Sequence, residues 1–162
     1  MLFRSQPDVV DDMAGSPLER TAWGMIDAAA VGNAPEAIGQ LAELLAAGEN
    51  PIGVSAQMAA VLRRLSTAAR LLALPETRGR PVGIDAALKE AGVAAWPQAV
   101  AQARAALGQL GPRRARHLPS ALLELDLALK GHASRGLRAR LALERLICMM
   151  SKKAAPPVAR RG

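Results

Sequence analysis

Proline, glycine and asparagine punctuate this chain at helix-length intervals, and between the breaks apolar residues return every three or four positions. Ser16-Pro17 opens the first run, with serine placed as a cap, proline at the first helical position and Glu19 in the first turn. LERTAWGMIDAAA carries Leu18, Ala22, Met25, Ile26 and Ala29 on one stripe, with Trp23 at its edge, and ends near Gly32-Asn33. Asn33 caps a second helix, APEAIGQLAELLAAG, stopped by Gly48. Asn50-Pro51 opens a longer third helix, with Ile52, Met58, Val61, Leu62, Leu65, Ala69 and Leu72 at helical spacing, and Pro75 ends it. ETRGRPVG then predicts an interior loop. IDAALKEAG predicts a short helix with a turn at Gly92, and WPQAVAQARAALGQL a longer one that stops at Gly111-Pro112. The next segment runs to Lys130, with Pro119 in its first turn or at a kink, and the last helix starts near Leu137 after the loop GHASRG.

No stretch alternates as a half-buried strand would. Aromatic residues are 2% of the 162: Phe3, Trp23 and Trp96, with no tyrosine. A core built from Leu, Ala, Val, Ile and Met suits close-packed helices better than a β-sandwich. The expected fold is an all-α bundle of about six to seven helices in a single domain. Its expected extent is 18–151, with an N-terminal segment 1–17 and a basic, Pro-rich tail 152–162 that composition predicts to be disordered. The short links predict that helices one and two are antiparallel neighbours, as are the last two.

The net charge of +7 favours an anionic neighbour, nucleic acid or acidic protein, although arginine, alanine and glycine richness also fits a GC-rich genome. The single cysteine, Cys148, excludes an internal disulfide, and its apolar helical run predicts a buried structural thiol. No targeting segment and no run of about 18 apolar residues occurs, so a soluble, cytoplasmic chain without membrane contact is expected. Neither His117 nor His132 has a carboxylate or nucleophile at a telling spacing, and no phosphate-binding loop is present. No enzymatic activity, cofactor or metal is expected.

Two basic runs bear on nucleic acid: Arg63, Arg64, Arg70, Arg78 and Arg80, then Arg104, Arg113, Arg114 and Arg116. Arg63, Arg64, Arg113 and Arg114 are the residues expected nearest to it. IDAALKEAGVAAWPQAVAQARAAL loosely resembles a helix-turn-helix, but Gln98, Gln102 and Arg104 make no dense reading face and stacking aromatics are absent. A stand-alone basic helical DNA-binding protein is therefore the alternative reading.

The last two helices carry charge inside apolar arcs. At 100° per residue, Leu122 and Leu129 lie within about 20° of each other, with Asp126 about 40° and Lys130 about 80° further round. The pair is either an i,i+4 bridge at the edge of a core or the sign of a desolvated Asp126 bonded to Arg138, Arg140 or Arg145. A structural role is favoured over a ligand site in both cases. In the final helix, Leu137, Leu141 and Cys148 form one stripe that includes Glu144, while Leu143, Leu146, Ile147 and Met150 form another. A helix apolar on two faces must be covered on two sides, one by its own domain and one by a partner.

LLELDLALKG followed by LRARLALERLICMM resembles the C-terminal signature of the delta subunit of bacterial DNA polymerase III: Asp126, Leu129, Lys130 and Gly131 match its penultimate helix, and Leu143, Glu144 and Leu146 its last. Upstream, Trp23, Asp27, Ala28, Gly48, Glu49 and Pro51 match a W-x-x-x-D-A helix and a G-E-x-P turn of the same family. The likeness spans roughly Asp8 to Ser151, although ARHLPSALL departs from the family's more regular lead-in. It implies a clamp-loader subunit whose helical collar assembles with the other subunits into a hetero-oligomer that loads the sliding clamp on primed DNA during replication. It also implies that the sliding clamp is met only through an N-terminal AAA+-like domain outside these residues, that 1–17 are the end of a lid domain, and that DNA is contacted indirectly or weakly. On this resemblance, Asp126, Lys130, Leu141, Leu143, Glu144, Leu146, Ile147 and Met150 are the structural or interface residues.

Overall fold

The computed structural model describes residues 17–74, 82–130 and 135–152. Among them are seven helices and no strand: α1 (Pro17–Ala30), α2 (Ala34–Ala46), α3 (Pro51–Ala73), α4 (Ile84–Glu90), α5 (Pro97–Ala115), α6 (Leu118–Lys130) and α7 (Arg135–Ser151). This is the expected all-α bundle. The Ser16 cap, most of the ETRGRPVG loop, residues 131–134 of GHASRG, and the tail beyond Lys152 lie outside the described residues, as do the side chains of Leu18 and Glu19.

The helix ends follow from local chemistry. Asn33 Oδ1 accepts from the Glu36 N–H at 3.3 Å and Asn50 Oδ1 from the Ile52 N–H at 2.9 Å, each ahead of a proline in the first turn. α1 ends in a paired closure: Gly32 N–H donates to Ala29 O at 3.0 Å and Asn33 N–H to Ala28 O at 2.9 Å. Gly32 holds φ 93°, a left-handed conformation that a Cβ would strain. The same closure ends α2 at Gly48 and α4 at Gly92.

α3 is the central element and packs against α1, α4, α5, α6 and α7. It buries Val54, Met58, Val61, Leu62, Leu65 and Ala68. Its buried serine is satisfied, since Ser55 Oγ donates to Pro51 O at 2.7 Å. Ile52 and Leu72, on the same sequence stripe, lie in the first and last turns and are 40% and 41% exposed. Around α3 the core is aliphatic, with Met25, Ile26, Leu41, Leu88, Leu118, Leu125, Leu143, Ile147 and Met150 buried. Trp23, expected at the edge of its stripe, is enclosed with them.

One arginine ties three helix ends together. Gly111, at φ 67° and ψ 166°, interrupts α5 before the Pro112–Ala115 turn. Arg114 folds back across this break to the carbonyls of Gln109 and Leu110. Its Nε donates to Leu110 O at 2.8 Å and its Nη2 to Gln109 O. The same guanidinium reaches Ala30 O at the end of α1, at 3.1 Å, and Met150 O at the end of α7. A forked cation satisfies carbonyls where three helix dipoles are negative. Partial burial draws its pKa down from the ordinary arginine value, and a guanidinium remains charged at neutral pH.

Arg114→Met should therefore cost about 2–3 kcal/mol, read as a lower urea midpoint at unchanged slope. Arg114→Lys should recover only part of the loss, because one ammonium cannot span three ends. The exposed Arg116→Met serves as control, with an effect within about 0.5 kcal/mol.

Candidate functional site

The α6–α7 hairpin holds most residues that the sequence singles out. Leu118, Leu122 and Leu125 set the inward face of α6, and Asp126 and Lys130 fall to one side of it. Lys130 Nζ lies 2.7 Å from Asp126 Oδ2, with the two side chains 71% and 41% exposed. Of the two readings open for this pair, the structure takes the bridge at the core's edge. Arg138, Arg140 and Arg145 do not bond Asp126: Arg140 Nε donates to Glu144 Oε1 at 2.9 Å, and Arg138 and Arg145 line the groove between α6 and α7. An exposed i,i+4 pair contributes only about 0.3–0.5 kcal/mol.

α7 has the two faces expected of it. Leu143, Leu146, Ile147 and Met150 are buried against the core. Seven-residue spacing puts Leu141 and Cys148 on the opposite side, with Leu137 beside them. Leu137 is 61% and Leu141 47% exposed, and Cys148 is exposed as well. The expectation of a buried thiol at Cys148 is thus corrected: a run apolar all round fixes that a residue is helical, not which way it points. Glu144 sits half-buried on the outward face, held by Arg140. Next to this face a groove of about 440 Å³ runs between α6 and α7, lined by residues that include His117, Glu124, Arg138, Leu141 and Arg145. Among the described residues no cluster of three His, Cys, Asp or Glu is placed to hold a metal ion, and no helix is long and apolar enough to cross a membrane.

Folding gives the residues of the two basic runs different tasks. Arg114 is committed to backbone carbonyls, and Arg104 is ion-paired with Asp85, joining α5 to α4. Gln102, in the helix-turn-helix-like segment, turns inward: its Nε2 donates to Asp27 Oδ2 on α1 at 2.9 Å. Two of the three polar residues of that segment's second helix are therefore engaged within the domain. Arg64 is half-buried on α3 and Arg113 exposed at the end of α5, each with a contact of its own, while Arg63 borders a groove beside α3. Arg78 and Arg80 lie outside the described residues.

Sequence reasoning missed the Asp27–Gln102 bond, whose partners are 75 residues apart. Burial raises the Asp27 pKa, and the Gln102 amide opposes that rise in part. Comparison of the chain with protein-family models, characterised proteins and solved structures gives no match.

Because its folded pKa is raised, Asp27 binds a proton more tightly in the native state than in the unfolded one. Its contribution to stability should fall as pH rises from about 4 through the raised value, and stay lower above it. Asp27→Asn keeps an acceptor for Gln102 without the charge. The variant should match or exceed the native protein in urea midpoint at pH 7, with the difference vanishing below about pH 4. A less stable variant at pH 7 would show that the Gln102 bond to the carboxylate outweighs desolvation.

Proposed function

We propose that this chain is a non-catalytic assembly domain, the helical collar of a clamp-loader subunit similar to the delta subunit of DNA polymerase III. The observation that carries the reading is the outward face of α7. Leu137, Leu141 and Cys148 lie exposed along it while the opposite face of the same helix is sealed into the core. Contiguous apolar surface rimmed by charge marks sites of protein contact. Arg138, Arg140, Glu144 and Arg145 supply such a rim. The resemblance of the last two helices, and of the Trp23–Pro51 region, supplies the class of partner: the other subunits of a hetero-oligomeric loader. In this reading the sliding clamp is reached through a further AAA+-like domain, and the work is replicative clamp loading in the cytoplasm.

Arg114 and Arg104 are spent inside the domain, which weakens the rival reading of a free-standing DNA-binding protein. DNA contact in the collar reading is indirect, and Asp126 and Lys130 keep the edge of α6 in place instead of holding a ligand.

The test is size-exclusion chromatography with light scattering, on the chain alone and mixed with clamp-loader subunits from the same source. A stable mixed complex is expected, lost in Leu137→Asp/Leu141→Asp with the far-UV spectrum unchanged. Substitutions at Leu143 or Ile147 would unfold the core and report nothing about assembly. A chain that ignores those subunits, and binds duplex DNA in a salt-sensitive way, would sink the proposal.

A further inference from the structure

A groove of about 690 Å³ runs beside the last three turns of α3, closed on its far side by the corner where α5 gives way to α6. Leu122 and Ala115 are buried at its floor with Ala69 half-buried beside them, Ser66 and Thr67 line it from α3, and Leu74 and Leu123 stand at its rim, 60% and 59% exposed. Arg63 and Arg70 line it from α3, two helical turns or roughly 10.5 Å apart, and Arg116 lines it from the corner. No ion pair among the described residues engages these three arginines. The acid in the lining, Asp126, already has Lys130 as its partner.

We propose that this groove docks an acidic amphipathic helix of a partner protein, with aliphatic side chains on its floor and carboxylates at Arg63, Arg70 and Arg116. The lining combines two demands that one kind of ligand meets. A small anion would leave Leu74 and Leu123 in water, and a purely apolar ligand would leave three guanidinium groups beside hydrocarbon. Nucleic acid fits less well, since no aromatic ring lines the groove to stack a base and an apolar floor gains nothing from phosphate. The Arg63–Leu74 stretch runs about 16 Å, the length of about three turns of a docked helix, and acids spaced i,i+7 on that helix match Arg63 and Arg70. The groove does not use the outward face of α7, so this inference and the collar reading can each fail alone.

The experiment is a fluorescence-anisotropy titration of the full chain. The probe is a labelled synthetic helix of about 14 residues, with leucines on one face and glutamates flanking them. The comparison probes are the same composition scrambled, the same helix with lysine for glutamate, and a duplex oligonucleotide. The acidic amphipathic helix should bind, at least about tenfold more tightly than any of the others. Arg63→Glu/Arg70→Glu, and separately Leu123→Asp, should each weaken it by about tenfold or more. All three positions are exposed, so the far-UV spectrum and urea midpoint should hold. Equal binding of the scrambled peptide, or binding untouched by both variants, overturns the proposal. Tighter binding of the duplex, lost in the double arginine variant, would make the groove a nucleic-acid surface. Self-association of the chain, lost in that same variant, would assign it to a second copy.

Discussion

The bundle closes around one guanidinium. Helix C-termini carry partial negative charge and carbonyls without intrahelical donors, and bringing three of them to one place is unfavourable unless something positive joins them. Arg114 is that group, and it reaches the ends of α1 and α7 and the broken end of α5 together. The left-handed Gly111 makes this geometry possible by stopping α5 one turn before Arg114. The cation thus joins the last turn of α7 to the ends of α1 and of the first part of α5.

Charge elsewhere is divided between holding the domain and leaving it open to others. Arg104 binds Asp85, Arg140 binds Glu144 and Lys130 binds Asp126, all at the surface, where each pair is worth little. Arg63, Arg70 and Arg116 border apolar surface instead. The net +7 is therefore no uniform coating. Part of it is consumed by the fold, and part collects where hydrocarbon is also exposed.

Helix ends were legible in the sequence because their causes are local. Asn33 and Asn50 cap, Pro51 and Pro97 start, and Gly32, Gly48 and Gly92 stop, each acting over a few residues. α7 begins at Arg135, two residues before the expected Leu137. The inward stripes were legible from period alone, as at Leu143, Leu146, Ile147 and Met150. What pattern could not supply was orientation within an apolar stretch, hence Cys148, and pairing across the chain, hence Asp27 with Gln102 and Arg114 with Ala30. Several residues that carry the family resemblance also have a place in the packing of the bundle: Trp23 and Leu143 are buried, Asp27 joins α1 to α5, and Gly48 ends α2.

The scarcity of aromatic residues, which first pointed away from a β-sandwich, also gives the molecule two built-in optical reporters. With no tyrosine, near-ultraviolet emission comes almost wholly from two indoles in unlike surroundings. Trp23 is 7% exposed inside the core, and Trp96 is 41% exposed at the start of α5. Solvent reaches the second in the native state and the first only on opening of the bundle. A quencher in solution thus divides the emission into a surface part and a core part, and loosening of α1 is visible in the second without any added label.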